Sequence, residues 1–131
     1  SNVPRLDYTG GGCPSLLLEP QSTNLITYSS DIADTSWTKQ VSGVASAPVA
    51  TANYAISPDG TQNASRVVFD LNGGTTTSDF SQLASAITAT VGDDYTSSVY
   101  MKSNDGSTHS LTFIAVDGST SIVSVTPQWQ I

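Results

Sequence analysis

The stretch SLTFIAVDGSTSIVSVT, residues 110–126, decides the fold class. It holds two runs of β-branched and other apolar residues, 110–116 and 121–126, separated by Asp117-Gly118-Ser119. Such runs favour strands, and a short Asp-Gly-Ser connection is typical of a hairpin turn. The pattern therefore predicts an antiparallel pair. Because apolar residues occupy odd and even positions of 110–116 alike, we expect this strand to be buried on both faces.

The alternation of residues 95–102 predicts another strand directly before this hairpin. Tyr95, Val99 and Met101 fall on one face, and a turn at 104–107 joins this strand to the next. Shorter runs predict strands at 37–44, 49–56, 66–71 and 79–87, with a turn at 58–60. Residues 29–37 are expected to hold one helical turn capped by Ser30 or Asp31.

Seven or eight short strands with turns between them predict an all-β chain, closed as an antiparallel β-sandwich of the jelly-roll or Greek-key type. The 131 residues suit one domain. We place the sandwich at residues 25–131 and a Gly- and Pro-containing joint that leads into it at 1–24. The final TPQWQI resembles the start of a strand whose partner is missing. We therefore expect a sandwich that is incomplete at this end, or one that pairs with another chain.

Charge excludes several classes of partner. Eleven acidic residues stand against four Lys and Arg, for a net charge of −7. Nucleic acids and anionic membranes both need clustered cations, so neither is expected as a partner. No apolar stretch is long enough for a membrane helix, so we expect no membrane insertion. A single Cys forms no internal disulfide.

The segment PRLDYTGGGCPSLLLEPQSTNL, residues 4–25, resembles a segment of virion structural and tail-fibre proteins from tailed bacteriophages. In that family it precedes a β-sandwich similar to carbohydrate-binding modules. TNLITYSSDIADTSWTK, SPDGTQNASRVVF and YTSSVYMKS are similar to the opening, the next turn and strand, and the central strand of such modules. The resemblance spans residues 3 to about 103 and departs after Trp129, where the family's module adds further strands.

The resemblance implies a non-enzymatic component of a phage particle, present extracellularly once released. Its expected partners are other virion proteins and further copies of the chain, with a trimer favoured, and a host-surface or environmental glycan as ligand. Two alternatives stay open. The domain is purely structural and decorates or joins the virion without binding sugar, or it is an accessory module of a polysaccharide-degrading enzyme. Fold likeness does not decide among them.

The glycine run in this segment is best explained as a structural joint. A phosphate loop would lead into a helix and place Lys and Ser or Thr after the glycines, whereas Gly10-Gly11-Gly12 is followed by Cys13-Pro14 and a leucine run. Three glycines let the backbone turn sharply and pass close to another element. We expect residues 16–18 to pack against that element.

No catalytic residue is predicted. Cys13 and the only histidine, His109, lie far apart with no third orienting group, so a buried Cys and a surface His are expected. Asp93 and Asp94 are adjacent, which suits a turn better than the facing carboxyls of a glycosidase.

The candidate ligand-binding residues are Tyr54, Asn53, Trp37 and Trp129, because sugars stack their C–H faces on aromatic rings and hydrogen-bond to amide side chains. Packing in the core is the alternative for the aromatic residues, Trp37 above all. A structural calcium ion is a further hypothesis, with three turn aspartates as weak candidate ligands: Asp59, Asp105 and Asp117.

Overall fold

The computed structural model describes residues 5–7, 15–17 and 23–131. This part of the chain is all-β, and every strand pairing in it is antiparallel. Each strand hydrogen-bonds to one other strand, so the sheets are two-stranded. The strands are β1 (Arg5–Asp7), β2 (Ser15–Leu17), β3 (Thr38–Ser42), β4 (Ser46–Ala55), β5 (Ala64–Asp70), β6 (Phe80–Ala84), β7 (His109–Ile114) and β8 (Thr120–Val125).

The predicted hairpin at 110–126 is confirmed as β7 and β8. Its register pairs Leu111 with Val123 and His109 with Val125. Leu111 and Val123 are half-buried and Val125 is buried, whereas Ile122 on the opposite face is 82% exposed. The expectation that residues 110–116 are buried on both faces is therefore wrong: Leu111 and Phe113 on one face of β7 are half-buried, while Ile114 on the other face is 46% exposed.

Strands β3 to β6 form a second group, in which β3 pairs with β6 and β4 pairs with β5. β4 also contacts β3 and β6. The predicted strands at 37–44, 49–56, 66–71 and 79–87 correspond to these four strands, with ends shifted by a few residues. Among the described strands, β7 and β8 contact only each other. The described strands therefore fall into three groups with no strand contacts between them: β1 with β2, β3 to β6, and β7 with β8.

Asp79 links the end of β3 to the start of β6, two strands that lie far apart in the chain. Its Oδ1 accepts from the amide of Val44 at 3.0 Å, and its Oδ2 accepts from the amide and hydroxyl of Thr76 at 2.9 and 2.7 Å. Gly43, at φ +66°, lies against this carboxylate so closely that a Cβ atom would collide with it. The left-handed backbone and the close approach both require glycine there.

The predicted strand at 95–102 is wrong. Residues 94–100 have no strand partner in the part of the chain that the structure describes, and only an isolated bridge joins Met101 to Gln130. Alternation of apolar and polar residues gives a strand one face to bury, but it does not supply a partner strand. The next strands in the chain, β7 and β8, pair with each other instead. The predicted helical turn at 29–37 is replaced by successive turns, with Asp31 and Asp34 each accepting from an amide two residues ahead.

Little of the described chain is core. Val125 is its buried hydrophobic residue, and Pro48 is its largest fully buried side chain. Large apolar side chains stay exposed on several strands, among them Val49 and Val68, which pair across β4 and β5. Paired strands therefore do not amount to a closed sandwich in this structure.

The predicted joint contains the antiparallel pair of β1 and β2. The glycines at 10–12, Cys13 and Leu18 lie outside the described residues, and so does the packing expected of the leucine run. In the described part of the chain, no helix is long and apolar enough to cross a membrane.

Candidate functional site

An irregularity in β4 presents Tyr54 at the surface. The pairing with β5 shifts register between Thr51 and Ala55, and Asn53 within this stretch adopts φ 52°. Such an irregularity re-aims the side chains beside it. The Tyr54 ring is 44% exposed, which suits a ligand contact better than a core position.

A cation and an amide surround the Tyr54 side chain. The Arg66 guanidinium on β5 lies 5.2 Å from the centre of the Tyr54 ring, a cation–π contact. Asn104 Nδ2, in the loop before β7, donates to the Tyr54 hydroxyl at 3.4 Å. Gln62 Nε2 donates to the Asn53 carbonyl at 3.1 Å, which holds the irregular stretch against the β4–β5 loop. Tyr54 and Asn53 are thus neighbours in a polar, partly exposed surface.

Trp129 forms a second aromatic–cation pair. The Lys102 ammonium lies 5.0 Å from the centre of its indole ring. Backbone hydrogen bonds between Met101 and Gln130, at 2.9 and 3.0 Å, hold the two chain segments side by side. The Gln130 side chain accepts from the Thr126 amide and donates to the Ser124 carbonyl. The position of Trp129 is therefore fixed by its neighbours on both sides.

Residues 102–104 connect the two pairs. Ser103 is buried, and its amide donates to the Thr126 carbonyl at 2.7 Å. Lys102 and Asn104 flank it, one reaching Trp129 and the other reaching Tyr54. We call this set the aromatic–cation patch; it consists of Tyr54, Arg66, Lys102, Asn104 and Trp129.

Sequence reasoning found only the two aromatic members of the patch. Arg66 was missed because its position on the Tyr54 ring depends on the register shift in β4, and Lys102 and Asn104 because their partners lie far away in the chain. One signal was present in the sequence: cations are scarce, with four Lys and Arg in 131 residues. Such scarce cations are candidates for a specific role, although their positions relative to the rings follow only from the fold.

The structure does not place Trp37 in this patch. Its indole nitrogen donates to the carbonyl of Tyr28 at 3.0 Å, and its own amide donates to the Asp34 carbonyl at 3.1 Å. The side chain is half-buried. These contacts hold together the turns at 28–37, so they support the structural alternative for Trp37.

The three candidate calcium ligands lie in three different turns, where each carboxylate accepts donors of its own turn. Asp59 accepts from the hydroxyls of Ser57 and Thr61, the amide of Thr61 and the side chain of Asn63. These donors hold the pKa of Asp59 well below its usual range, the Ser57 hydroxyl contributing most. Both carboxylate oxygens of Asp59 already accept hydrogen bonds, so a calcium ion would have to displace these donors. The calcium hypothesis gains no support at Asp59.

Asp105 and Asp117 act in the same way. The Asp105 carboxylate lies 2.9 Å from His109 Nε2 and accepts from the Ser107 amide, and His109 is the main cause of its lowered pKa. Asp117 accepts from the Ser119 amide within the β7–β8 turn, and Ser119 lowers the Asp117 pKa. Within the described ranges, no three His, Cys, Asp or Glu side chains converge to hold a metal ion. His109 lies at the surface, as predicted.

A separate open cleft of about 510 Å³ lies between residues 93–97 and the β7–β8 hairpin. Asp93, Asp94 and Asp117 line it together with Tyr95 and Phe113. A smaller apolar cleft of about 160 Å³ adjoins it and shares Ser97 and Phe113. Residues of the predicted strand at 95–102 line both clefts.

The comparisons with known proteins add no functional assignment. No family model, curated protein or solved structure matches this chain. The resemblance to phage virion proteins therefore stays a prediction from the sequence, and the site is argued from geometry.

Proposed function

We propose that this chain is a non-enzymatic component of a bacteriophage fibre or adhesin, and that it contacts glycans through the aromatic–cation patch. The fold proposed for the assembled protein is a jelly-roll-like β-sandwich. The observation that carries the glycan contact is the exposed Tyr54 ring with Arg66 on its face and Asn104 at its hydroxyl. The virion setting rests on the resemblance of residues 3 to about 103.

The chemistry of the patch suits a sugar. A pyranose ring has an apolar C–H face that stacks on an aromatic ring, while its hydroxyls need donors and acceptors at the rim. Tyr54 and Trp129 supply rings on the two sides of segment 102–104. Asn53, Gln62 and Asn104 supply amide groups beside Tyr54. The hydrogen bond from Asn104 to the Tyr54 hydroxyl orients that ring before any ligand arrives, which limits the ordering cost of binding.

The test is retention on polysaccharide affinity gels, followed by titration of the polysaccharides that bind. Tyr54→Leu removes the ring and should weaken binding about tenfold. Tyr100→Leu is the matched control, since Tyr100 is also an exposed tyrosine, 57% exposed, in the irregular segment. Loss of binding in the Tyr54 variant alone supports the patch. Equal loss in both variants, or no retention on any neutral or charged gel, would rule out the glycan contact.

A structural role in assembly is the second candidate, and the exposed apolar surface favours it. Ile122 is 82% exposed and Val49 60% exposed, on strands of two separate groups. Val49 pairs across the strands with Val68, itself 40% exposed, so the exposed apolar surface is contiguous across β4 and β5, as is characteristic of interaction sites. We expect the trimer implied by the resemblance, measured by sedimentation. Ile122→Asp should shift the protein toward monomer while Thr108→Asp, at an exposed loop position, should not. A wild-type protein that stays monomeric at high concentration contradicts this role.

A further inference from the structure

The distribution of positive charge points to the chemical class of the ligand. Residues 23–131 contain three of the four Lys and Arg residues: Lys39, Arg66 and Lys102. Two of these three lie on aromatic rings of the patch. In a chain of net charge −7, two of the three positive charges of residues 23–131 therefore lie on aromatic rings of the patch, that of the exposed Tyr54 and that of the half-buried Trp129.

Among the described residues, neither Arg66 nor Lys102 forms an ion pair with a carboxylate. Within residues 23–131, the ion pair that forms joins His109 to Asp105, at 2.9 Å. The Asp105 carboxylate, next in sequence to Asn104, is thereby directed to His109 and to the amide of Ser107. A cation–π contact positions Arg66 and Lys102 without consuming their hydrogen-bond donors.

Guanidinium and ammonium groups that lie beside an aromatic ring suit a sugar that carries an acidic substituent. Arg presents a planar fork of donors that fits the two oxygens of a carboxylate or sulfate, and Lys presents a compact charge. A neutral sugar would leave both charges without a partner on binding. A sugar with an acidic substituent would satisfy them while its C–H face stacks on the ring.

We infer that the aromatic–cation patch takes an anionic saccharide, whose ring stacks on Tyr54 or Trp129 and whose carboxylate or sulfate pairs with Arg66 and Lys102. The inference rests on the proposed glycan contact and specifies its substrate class. Ser103, anchored to Thr126, keeps the two halves of the patch at a fixed spacing, so a ligand of two or more sugar residues would engage both.

The experiment compares polymers that differ only in charge. Polygalacturonate is set against its fully methyl-esterified form, which keeps the sugar backbone and removes the carboxylate charge. Dextran sulfate is set against dextran. Binding of the full chain is measured by calorimetry at moderate ionic strength. We expect at least one anionic polymer to bind about tenfold more tightly than its neutral form, because charge-assisted hydrogen bonds are worth more than neutral ones.

Matched variants assign the charge preference to the patch. Arg66→Gln and Lys102→Gln should each weaken binding of that polymer about tenfold, and Arg66→Lys should restore part of it. Lys39→Gln removes the same charge from β3, on a different strand pair, and should change binding less than twofold. Circular dichroism of each variant confirms that the fold is retained.

The outcomes separate this inference from the proposed function. Preference for a carboxylated or a sulfated polymer, lost in the Arg66 and Lys102 variants, supports the inference and identifies the acidic group. Tyr54-dependent binding that is equal for charged and neutral polymers overturns the inference and leaves the glycan contact standing. An equal loss in Lys39→Gln also overturns it, because the effect then follows net charge. Binding to no polymer removes the glycan contact itself.

Discussion

The β7–β8 hairpin and the segment just before it, residues 94–100, are both predicted from the sequence to form strands, but they differ in the structure. Both are rich in residues that favour strands, yet the hairpin is fully paired while the segment has no strand partner within the described chain. The hairpin closes through the short turn at 115–119, so its partner is always close. The segment needs a partner from elsewhere, at a larger entropic cost of closure.

The β3–β6 pair shows what a distant pairing requires. Its strands are separated by the whole β4–β5 hairpin, and Asp79 and Gly43 connect them through contacts that no alternation encodes. Residues 94–100 have no equivalent connection among the described contacts, and the clefts beside them remain open. Pattern alone thus suffices for a local pair, whereas a distant pair needs specific side chains.

The largest expected effect comes from placing a charge on the covered face of the hairpin. Val125→Asp buries a carboxylate at a position that is 4% exposed, and it should lower the free energy of unfolding by about 3 kcal/mol or more. Ile122→Asp, on the exposed face, should change it by less than about 0.5 kcal/mol. Urea unfolding of the two variants at low concentration measures both. Equal effects would mean that the two faces are not distinct.

A substitution to Asp within residues 94–100 tests how tightly this segment is packed. Val99 is half-buried beside the smaller cleft, so Val99→Asp should cost less than Val125→Asp, about 1 kcal/mol. Amide hydrogen exchange provides an independent measurement, since residues 111–113 should be protected well above residues 96–99. Protection of residues 96–99 as strong as that of β7 would show that a strand forms there.

Gly43→Val tests the connection that holds the distant pair. The new side chain would collide with Asp79 and would have to adopt φ +66°, so we expect a loss of about 2–3 kcal/mol. Hydrogen exchange should show lost protection in β3 and β6 and unchanged protection in β7 and β8. Loss of protection in all four strands at once would mean that the two groups fold as one unit.

Acid should weaken the hydrogen bonds that Asp79 accepts from Val44 and Thr76. Hydrogen bonds from Thr76 and Val44 lower the pKa of Asp79 to about 2, from an ordinary value of 3.8. Because the folded pKa is depressed, the stabilisation is fully present above pH 3.8 and is lost as the pH falls toward 2. The amide chemical shift of Val44 should follow this transition, and Asp79→Asn should abolish it. A Val44 shift that titrates near pH 4 in the wild type would contradict the assignment.

A loss of stability similar to that of Val99→Asp is expected at the turn that makes the local pair possible. Gly118 adopts φ +81° with open space around it, so Gly118→Ala introduces backbone strain and no collision. The free energy of unfolding should fall by about 1 kcal/mol. Urea unfolding measures this loss, and Ile122→Val on the exposed face is the control. No loss in the Gly118 variant would mean that the hairpin does not depend on its turn.

The candidate site shows the same division between pattern and fold. Tyr54 and Trp129 were predictable as aromatic residues in polar surroundings, and the turn aspartates were predictable as turn residues. The contacts of Arg66 with Tyr54 and of Lys102 with Trp129 were not, because they depend on a register shift in β4 and on the bridge between Met101 and Gln130. For Trp37 the structure favours the structural alternative, since its indole nitrogen donates to the Tyr28 carbonyl nine residues before it.

The sequence by itself determined the all-β class, the β7–β8 hairpin and the aspartate turns, because these depend on residue preference and on neighbours a few positions away. Only the tertiary structure decided which distant strands pair, that residues 94–100 have no strand partner in the described part of the chain, and that two scarce cations lie on the rings of Tyr54 and Trp129. The physical reason is the cost of closing long loops, which only particular contacts such as those of Asp79 and Asn104 offset.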